Sequence, residues 1–258
     1  MDKRRARITA KKAELDRRRR QFGARLGNLE HVHDLELTYT SNAIEGNTLT
    51  AAETTLVIEQ GITIGGKPLK DHLEAIDHHD AIRYVRALAR HPAPLTEADI
   101  RQLHHLVVQR SQPLIAGRYA TQGRYVLTDS RRHSFPSPAE IPALMGDFAR
   151  WLAAAPDTPE TAFTAQRRLV EIHRFDDGNG RTARLLMNLV LIRGGYPPVA
   201  VRPEDRPAYI GALQDAQAGQ GVAGFETFLF DRLDATLEEY LSAARDAVTG
   251  GTEPVPPK

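Results

Sequence analysis

Apolar and polar residues alternate at helical spacing over most of this chain, and the interruptions in that pattern carry the information. Near the start, Ile8, Leu15, Phe22 and Leu26 fall at intervals of seven, seven and four, which places them on one face of an amphipathic helix. Leu35 to Glu45 is expected to form a short helix stopped at Gly46. Thr50 and Glu53 then form a capping box for the next helix. Further helices are expected over Leu69 to Ala89, and from a cap at Thr96 to about Gln109. A third pair consists of T-P-E-T-A-F-T-A-Q-R-R-L-V-E-I, with Thr158 as N-cap and Pro159 at the first helical position, and R-T-A-R-L-L-M-N-L-V-L-I-R, closed by Gly194-Gly195. A last helix covers about Gly224 to Ala247.

The stretch from Gly117 to Pro138 breaks the helical rhythm. Tyr125-Val126-Leu127-Thr128 has strand propensity and Asp129-Ser130 suits a turn, so a small hairpin is expected there. The predicted fold class is therefore all-α with one small β-hairpin. Three regions are expected: an N-terminal helical region over 1–94, a core over 95–247, and a Gly/Pro-rich tail over 248–258 that is too poor in apolar residues to fold.

Composition changes this picture little. The 258 residues carry 34 Lys and Arg against 33 Asp and Glu, so the chain as a whole is no polycation. The basic residues are concentrated in the first helix, which reads as a solvated amphipathic face or as a patch for acidic partners; nucleic acid is not the expected partner. No apolar run reaches membrane-spanning length, and no h-region follows the basic start, so neither a membrane nor a secretory signal is expected. With no cysteine, disulfides and thiol catalysis are excluded, and a cytoplasmic protein is the expectation.

The candidate chemistry lies in the loop between the third pair of helices, H-R-F-D-D-G-N-G-R-T-A-R (residues 173–184). A glycine-rich loop opening a helix turns unpaired backbone N–H groups outward and forms an anion site, here Gly178, Asn179 and Gly180. His173 ends the incoming helix and can serve as a general base near neutral pH. Asp177 offers a hard carboxylate oxygen suited to magnesium shared with phosphates. Arg181 and Arg184 stand in the first helical turn against the helix dipole, a placement that an anionic partner explains. Phe175 is expected to anchor the loop in the core.

These residues resemble the signature of the Fic family, H-P-F-x-[DE]-G-N-G-R-x-x-R, with Arg174 where that family usually has proline. The resemblance implies a protein AMP-transferase. His173 would deprotonate a Ser, Thr or Tyr hydroxyl of a target, the hydroxyl would attack the α-phosphate of ATP, and Mg2+ would be held by Asp177. Residues 178–180 would cradle phosphates while Arg181 and Arg184 hold the β/γ end, and Arg174 would add a positive charge beside the base. S-N-A-I-E-G resembles the family's inhibitory motif, [ST]-x-x-x-E-[GN], and contains Ser41, Glu45 and Gly46; such a glutamate pairs with the second signature arginine, here Arg184. The hairpin around Arg124, Tyr125, Val126 and Leu127 resembles the flap on which family members dock target segments. Tyr209 falls in the helix that flanks the nucleobase, but Ile210 and Gln217 replace an expected tyrosine and asparagine.

Two other patterns have plainer readings. G-I-T-I-G-G-K (61–67) lacks the Ser/Thr of a phosphate loop, because Pro68 stands there, and reads as a turn. His72, His78, His79, His104 and His105 lack metal-ligand spacing and read as ordinary helix histidines. Rival functions are removal of AMP, transfer of another nucleotide, a nucleic-acid-binding regulator built on the basic N-terminus, and a module that only binds nucleotide. Gly180 stands where the kinase-like branch of the superfamily usually has lysine, which argues against phosphate transfer. The target is not readable, and relief of Glu45 through a homo-oligomer is an expectation only.

Overall fold

The computed structural model describes residues 2–128 and 131–249, with backbone alone for residues 2, 21–26, 127–128, 131–133 and 246–249. Among these, nine α-helices and one two-stranded antiparallel sheet are present. The helices are α1 (Asp2–Ile44), α2 (Ala51–Gln60), α3 (Leu69–Ala89), α4 (Glu97–Val108), α5 (Ile141–Ala154), α6 (Pro159–Ile172), α7 (Asn179–Arg193), α8 (Arg206–Gln217) and α9 (Ala223–Thr249). Strands β1 (Tyr125–Thr128) and β2 (Arg131–Ser134) pair with Tyr125 opposite Ser134 and Thr128 opposite Arg131. The predicted turn at Asp129-Ser130 lies outside the described residues.

The local signals act as expected at most helix ends. Thr50 accepts from the Glu53 amide while the Glu53 carboxylate accepts from the Thr50 amide, and Thr96 with Asp99 repeats the arrangement. Gly61, in the left-handed region at φ 65°, ends α2. It opens the loop of the phosphate-loop look-alike, where Lys67 donates to the Thr48 carbonyl and pairs with Glu53 at 3.5 Å. That lysine is an internal tie.

Three expectations need correction. The basic N-terminal stretch and the segment ending at Glu45 are one uninterrupted helix, α1, because no proline lies within residues 1–44 and the interior glycines cost only about 1 kcal/mol each against alanine. Ile8 and Leu15 are buried on its inner face, while the side chains of Phe22 and Leu26 lie outside the described residues. Second, the basic side chains of α1 are largely engaged within the chain. Arg4 pairs with Asp231, Arg5 with Glu160, Arg7 with Asp234, and Lys11 with Asp234 and Glu238. Third, α9 runs to Thr249, two residues into the expected tail, whose remainder (250–258) lies outside the described residues.

The core is centred on α7, which is buried along its length from Arg181 to Leu191 and packs against α6, α3 and α4. One apolar cluster runs from Ile8 through Leu103, Phe163 and Val190 to Leu241, so it crosses the expected boundary at residue 94. Putting the most buried helix at the centre fixes its N-terminus, and hence the anion nest, against four neighbouring elements.

Candidate active site

Helix α6 delivers the loop. Its Thr158 hydroxyl accepts from the Thr161 amide, and its C-terminus is closed by His173, whose amide donates to the Leu169 carbonyl at 3.2 Å. His173 has φ 46°, the one non-glycine in the left-handed region among the described residues, a conformation costing on the order of 1–3 kcal/mol. Its ring lies flat against Phe135 from the end of the hairpin, with centroids 3.8 Å apart and planes 11° from parallel. Phe175 is buried and stacks on His104, so the predicted anchor has a partner ring. Gly178, at φ 74°, passes so close to α4 that a β-carbon would sit 3.1 Å from Val108 Cγ1.

Asn179 also ties the loop together through its side chain. Its Oδ1 accepts from the Phe175 amide at 3.0 Å and its Nδ2 donates to the Phe175 carbonyl at 2.8 Å. The side chain staples the loop shut and leaves its backbone amide to the anion nest.

The two arginines each meet a carboxylate. Arg184 Nη2 donates to Glu45 Oε1 at 2.7 Å and to the Ser41 carbonyl at 2.9 Å, while Nε donates to Ser41 Oγ at 2.9 Å. Burial alone would lower the Arg184 pKa, but Glu45 and Tyr209 together outweigh it and the net shift is upward. Glu45 Oε1 lies over the first turn of α7, where a β-carbon at Gly180 would overlap it. The Glu45 carboxylate is thus held beside Gly180 from just past the end of α1, next to Gly46 with its φ of 97°. Arg181 is 2 % exposed and pairs with Glu74 Oε1 of α3 at 3.1 Å, with Asn42 Oδ1 at 3.4 Å. Sequence reasoning missed Glu74. Its signal was the run of polar residues Asp71, His72, Glu74, Asp77 and His78 on the buried face of α3.

Asp177 stands at the mouth with its carboxylate about half exposed. Burial pushes its pKa up, but hydrogen bonding from Gln112 and the charge of Arg181 outweigh this, holding the group below the ordinary aspartate value. Gln112 Nε2 donates to Oδ2, and the Gly178 amide donates to Oδ1 at 2.6 Å. No cluster of three or more His, Asp or Glu side chains suited to a metal exists among the described residues. One ionised carboxylate beside an anion nest fits a magnesium ion whose other ligands are phosphate oxygens and water, and it does not fit a protein-caged metal.

A cleft opens over this arrangement, lined by Glu45, His173, Gly180, Arg184 and, from α8, Tyr209 and Gln217. Ile210 and Val126 also face it. Tyr209 is buried and its hydroxyl oxygen accepts from Gln166 Nε2, so it forms wall and not rim. The hairpin is bolted to the loop: Arg124 Nη1 pairs with Asp176 Oδ1 at 2.5 Å, its Nη2 donates to the Asp176 carbonyl, and the Phe135 amide donates to the Arg124 carbonyl at 3.0 Å. Of the expected flap residues, Arg124 is thus a tether, Tyr125 and Val126 are exposed, and the Leu127 side chain lies outside the described residues.

Arg174 corrects another expectation. Its guanidinium is not beside the base but wholly buried, over the Phe175 ring at 4.2 Å and the Tyr119 ring at 6.0 Å, with Nη1 3.0 Å from Met145 Sδ. Nε and Nη2 have no hydrogen-bond partner, and burial lowers the pKa to about 9. The Arg174 carbonyl accepts from the Ala120 amide at 2.8 Å.

Comparison with known proteins agrees with this geometry. Residues 94–191 match the Fic/DOC family. Over 210 residues the chain is 37 % identical to a Nematostella vectensis protein named "Protein adenylyltransferase Fic", covering 80 % of this chain and 48 % of that one. The Drosophila melanogaster protein of the same name is 36 % identical over 212 residues, covering 81 % and 42 %. The chain thus spans about half the length of these curated relatives. Among solved structures, a Fic-domain-containing signaling protein from Bacteroides thetaiotaomicron superposes with a TM-score of 0.87 at 30 % identity, covering 93 % of this chain and 97 % of that one. Fic-1 (residues 134–508) from C. elegans gives 0.76 at 30 % identity, covering 91 % and 71 %. With a likeness of that extent in sequence and in backbone, and with the anion nest and its histidine in one cleft, the chain belongs to the Fic/DOC family.

Proposed function

We propose that this protein transfers AMP from ATP to a Ser, Thr or Tyr hydroxyl of a protein, itself included, and that Glu45 restrains the reaction. The observation that carries the reading is the Glu45 carboxylate, 2.7 Å from Arg184 and over the anion nest, in the same cleft as His173. A triphosphate and that carboxylate would compete for one set of donors. The names of the relatives favour AMP as the group transferred.

In this mechanism the nest amides of residues 178–180 and the Arg184 guanidinium bind the polyphosphate once Glu45 withdraws. Arg181, held by Glu74, adds a fixed positive charge behind them. His173 takes the proton of the target hydroxyl as its oxygen bonds to the α-phosphorus, and the bond from that phosphorus to the bridging oxygen breaks, releasing pyrophosphate. Phe135 presses on the imidazole and limits its rotation. Asp177 would hold magnesium, which supplies charge neutralisation on the phosphates. The target backbone would add to the exposed edge of the hairpin near Tyr125 and Val126.

The test is label transfer from α-³²P-ATP with magnesium, comparing wild type, Glu45→Gly and Glu45→Gly/His173→Ala. Weak wild-type labelling, strong self-labelling by the single variant and none by the double variant are expected. If Glu45→Gly binds ATP but labels nothing, AMP is the wrong group, and other nucleoside triphosphates become the next donors because Ile210 and Gln217 line the base end of the cleft.

A further inference from the structure

We infer that His104 is a positioning residue: by hydrogen-bonding the Asp177 carbonyl it sets the plane of the Asp177–Gly178 peptide, and so aims the Asp177 carboxylate, held by the Gly178 amide, at the magnesium of a bound nucleotide. The inference deepens the proposed function and rests on it.

His104 lies on α4, has no exposed surface, and is not among the signature residues. The Gly117 amide is 3.0 Å from its Nδ1, and the Asp177 carbonyl oxygen is 2.9 Å from its Nε2. An amide N–H can only donate and a carbonyl oxygen can only accept. Nδ1 must therefore carry the lone pair and Nε2 the proton, which fixes the tautomer without reference to any titration. The imidazole bridges two loops that are 60 residues apart in the chain, the one after α4 and the one before α7. Its face stacks on Phe175 with centroids 3.5 Å apart and planes 4° from parallel, so the ring cannot turn away.

The consequence follows from peptide geometry. No peptide here is cis, so the carbonyl of Asp177 and the N–H of Gly178 lie in one plane and point in opposite directions. With the carbonyl held towards α4, the N–H faces the site, where it donates to Asp177 Oδ1 at 2.6 Å. The other carboxylate oxygen accepts from Gln112, just beyond the end of α4. Both oxygens are thus oriented from the α4 side, one directly by Gln112 and one through the peptide by His104. Gly178 suits this close approach, because its φ of 74° is one that side chains rarely adopt and a β-carbon there would lie 3.1 Å from Val108 Cγ1.

Two substitutions separate the two nitrogens. In His104→Gln the side-chain amide nitrogen can reach the place of Nε2 and still donate to Asp177. In His104→Asn the amide reaches only as far as Nδ1 and the bond to Asp177 is lost; both variants lose the stack. Each is made in Glu45→Gly/His173→Ala protein, where ATP binds without reacting, and the ATP Kd is measured by calorimetry with magnesium and with EDTA. Melting temperatures are recorded alongside, and Asp177→Ala gives the baseline. The expected result is that His104→Gln keeps the magnesium enhancement of ATP affinity within about threefold, whereas His104→Asn loses roughly tenfold or more, the usual range for an outer-shell partner of a metal ligand. Equal enhancement in both variants, or losses that only track the fall in melting temperature, overturns the inference. If the parent itself binds ATP with no magnesium enhancement, the Asp177 part of the proposed function fails, and this inference falls with it; the parent alone identifies that case.

Discussion

Replacing Arg174 by methionine should make the protein more stable, although it deletes a side chain from the middle of the signature. The guanidinium is wholly buried, two of its nitrogens have no hydrogen-bond partner, and its pKa is lowered from 12.5 to about 9 by burial. At about 1.4 kcal/mol per unit, that shift corresponds to an upper bound of roughly 5 kcal/mol against folding. The faces of Phe175 and Tyr119 return part of it, about 0.5–2 kcal/mol each for cation–π contacts at such distances. Methionine has similar length and would meet Met145, so little volume is lost. A net gain of about 1–3 kcal/mol is expected, which is a rise of roughly 2–10 °C in Tm for a chain of this size. The pH dependence provides a second check. Because the folded pKa lies below the unfolded one, the unfolded state holds a proton that the folded state has released between pH 9 and 12.5, and wild-type stability rises across that window. The penalty is fully present below pH 9, so the advantage of Arg174→Met should be constant from pH 7 to 8.5 and shrink by about 1.4 kcal/mol per unit above pH 9. Calorimetric melts of both proteins at pH 7.5 and 10.5 test this. A Tm lowered by several degrees, or an advantage unchanged at pH 10.5, refutes the argument and means that the cation is well solvated by its rings.

Other variants report on separate links. Glu74→Ala leaves Arg181 buried without its carboxylate and should cost about 3–5 kcal/mol in denaturant melts, whereas a loss under 1 kcal/mol would mean that Asn42 suffices. Phe135→Ala removes the plate under His173 and should lower kcat in the Glu45→Gly background by tenfold or more with ATP affinity little changed; an equal effect on both would assign Phe135 to the nucleotide. His78 is buried with its pKa pushed well below 6.5, first by burial and then by Arg184 and Arg181. Its unfolded form gains a proton below pH 6.5 that the folded form refuses, so stability falls by about 1.4 kcal/mol per pH unit there, and His78→Leu should flatten the acid limb of a stability profile.

Much of the site was readable before the fold was known, because its chemistry is local. The residues from His173 to Arg184 occupy one loop and one helical turn, and backbone physics alone makes that an anion nest. Glu45 was readable from a second motif, and it meets Arg184 at 2.7 Å. What escaped notice depends on contacts between distant segments. Glu74, Gln112, His104 and Phe135 act on the loop from α3, from α4 and the turn after it, and from the hairpin; the polar run around Glu74 marks a buried polar face but not its partner, and the other three carry no local mark. Arg174 was assigned the wrong direction for a related reason: spacing says which residue stands beside which, while the orientation of a loop side chain is decided by its packing, here against Phe175, Tyr119 and Met145. The single long α1 was missed because glycines within it weaken the local pattern that its packing restores.

On the proposed function, the carboxylate of Glu45 belongs to the same chain as the site it closes, and this makes it a tethered competitor. A ligand on a short tether acts at an effective concentration on the order of millimolar or above, whatever the amount of protein present. A free triphosphate must then contend with a rival that dilution cannot remove, and its apparent Kd rises by the inverse of the fraction of molecules in which Glu45 has let go of Arg184. The chain would thus read the ratio of nucleotide to its own side chain. Any event that shifts the end of α1 by the length of one hydrogen bond would move that set point without touching His173.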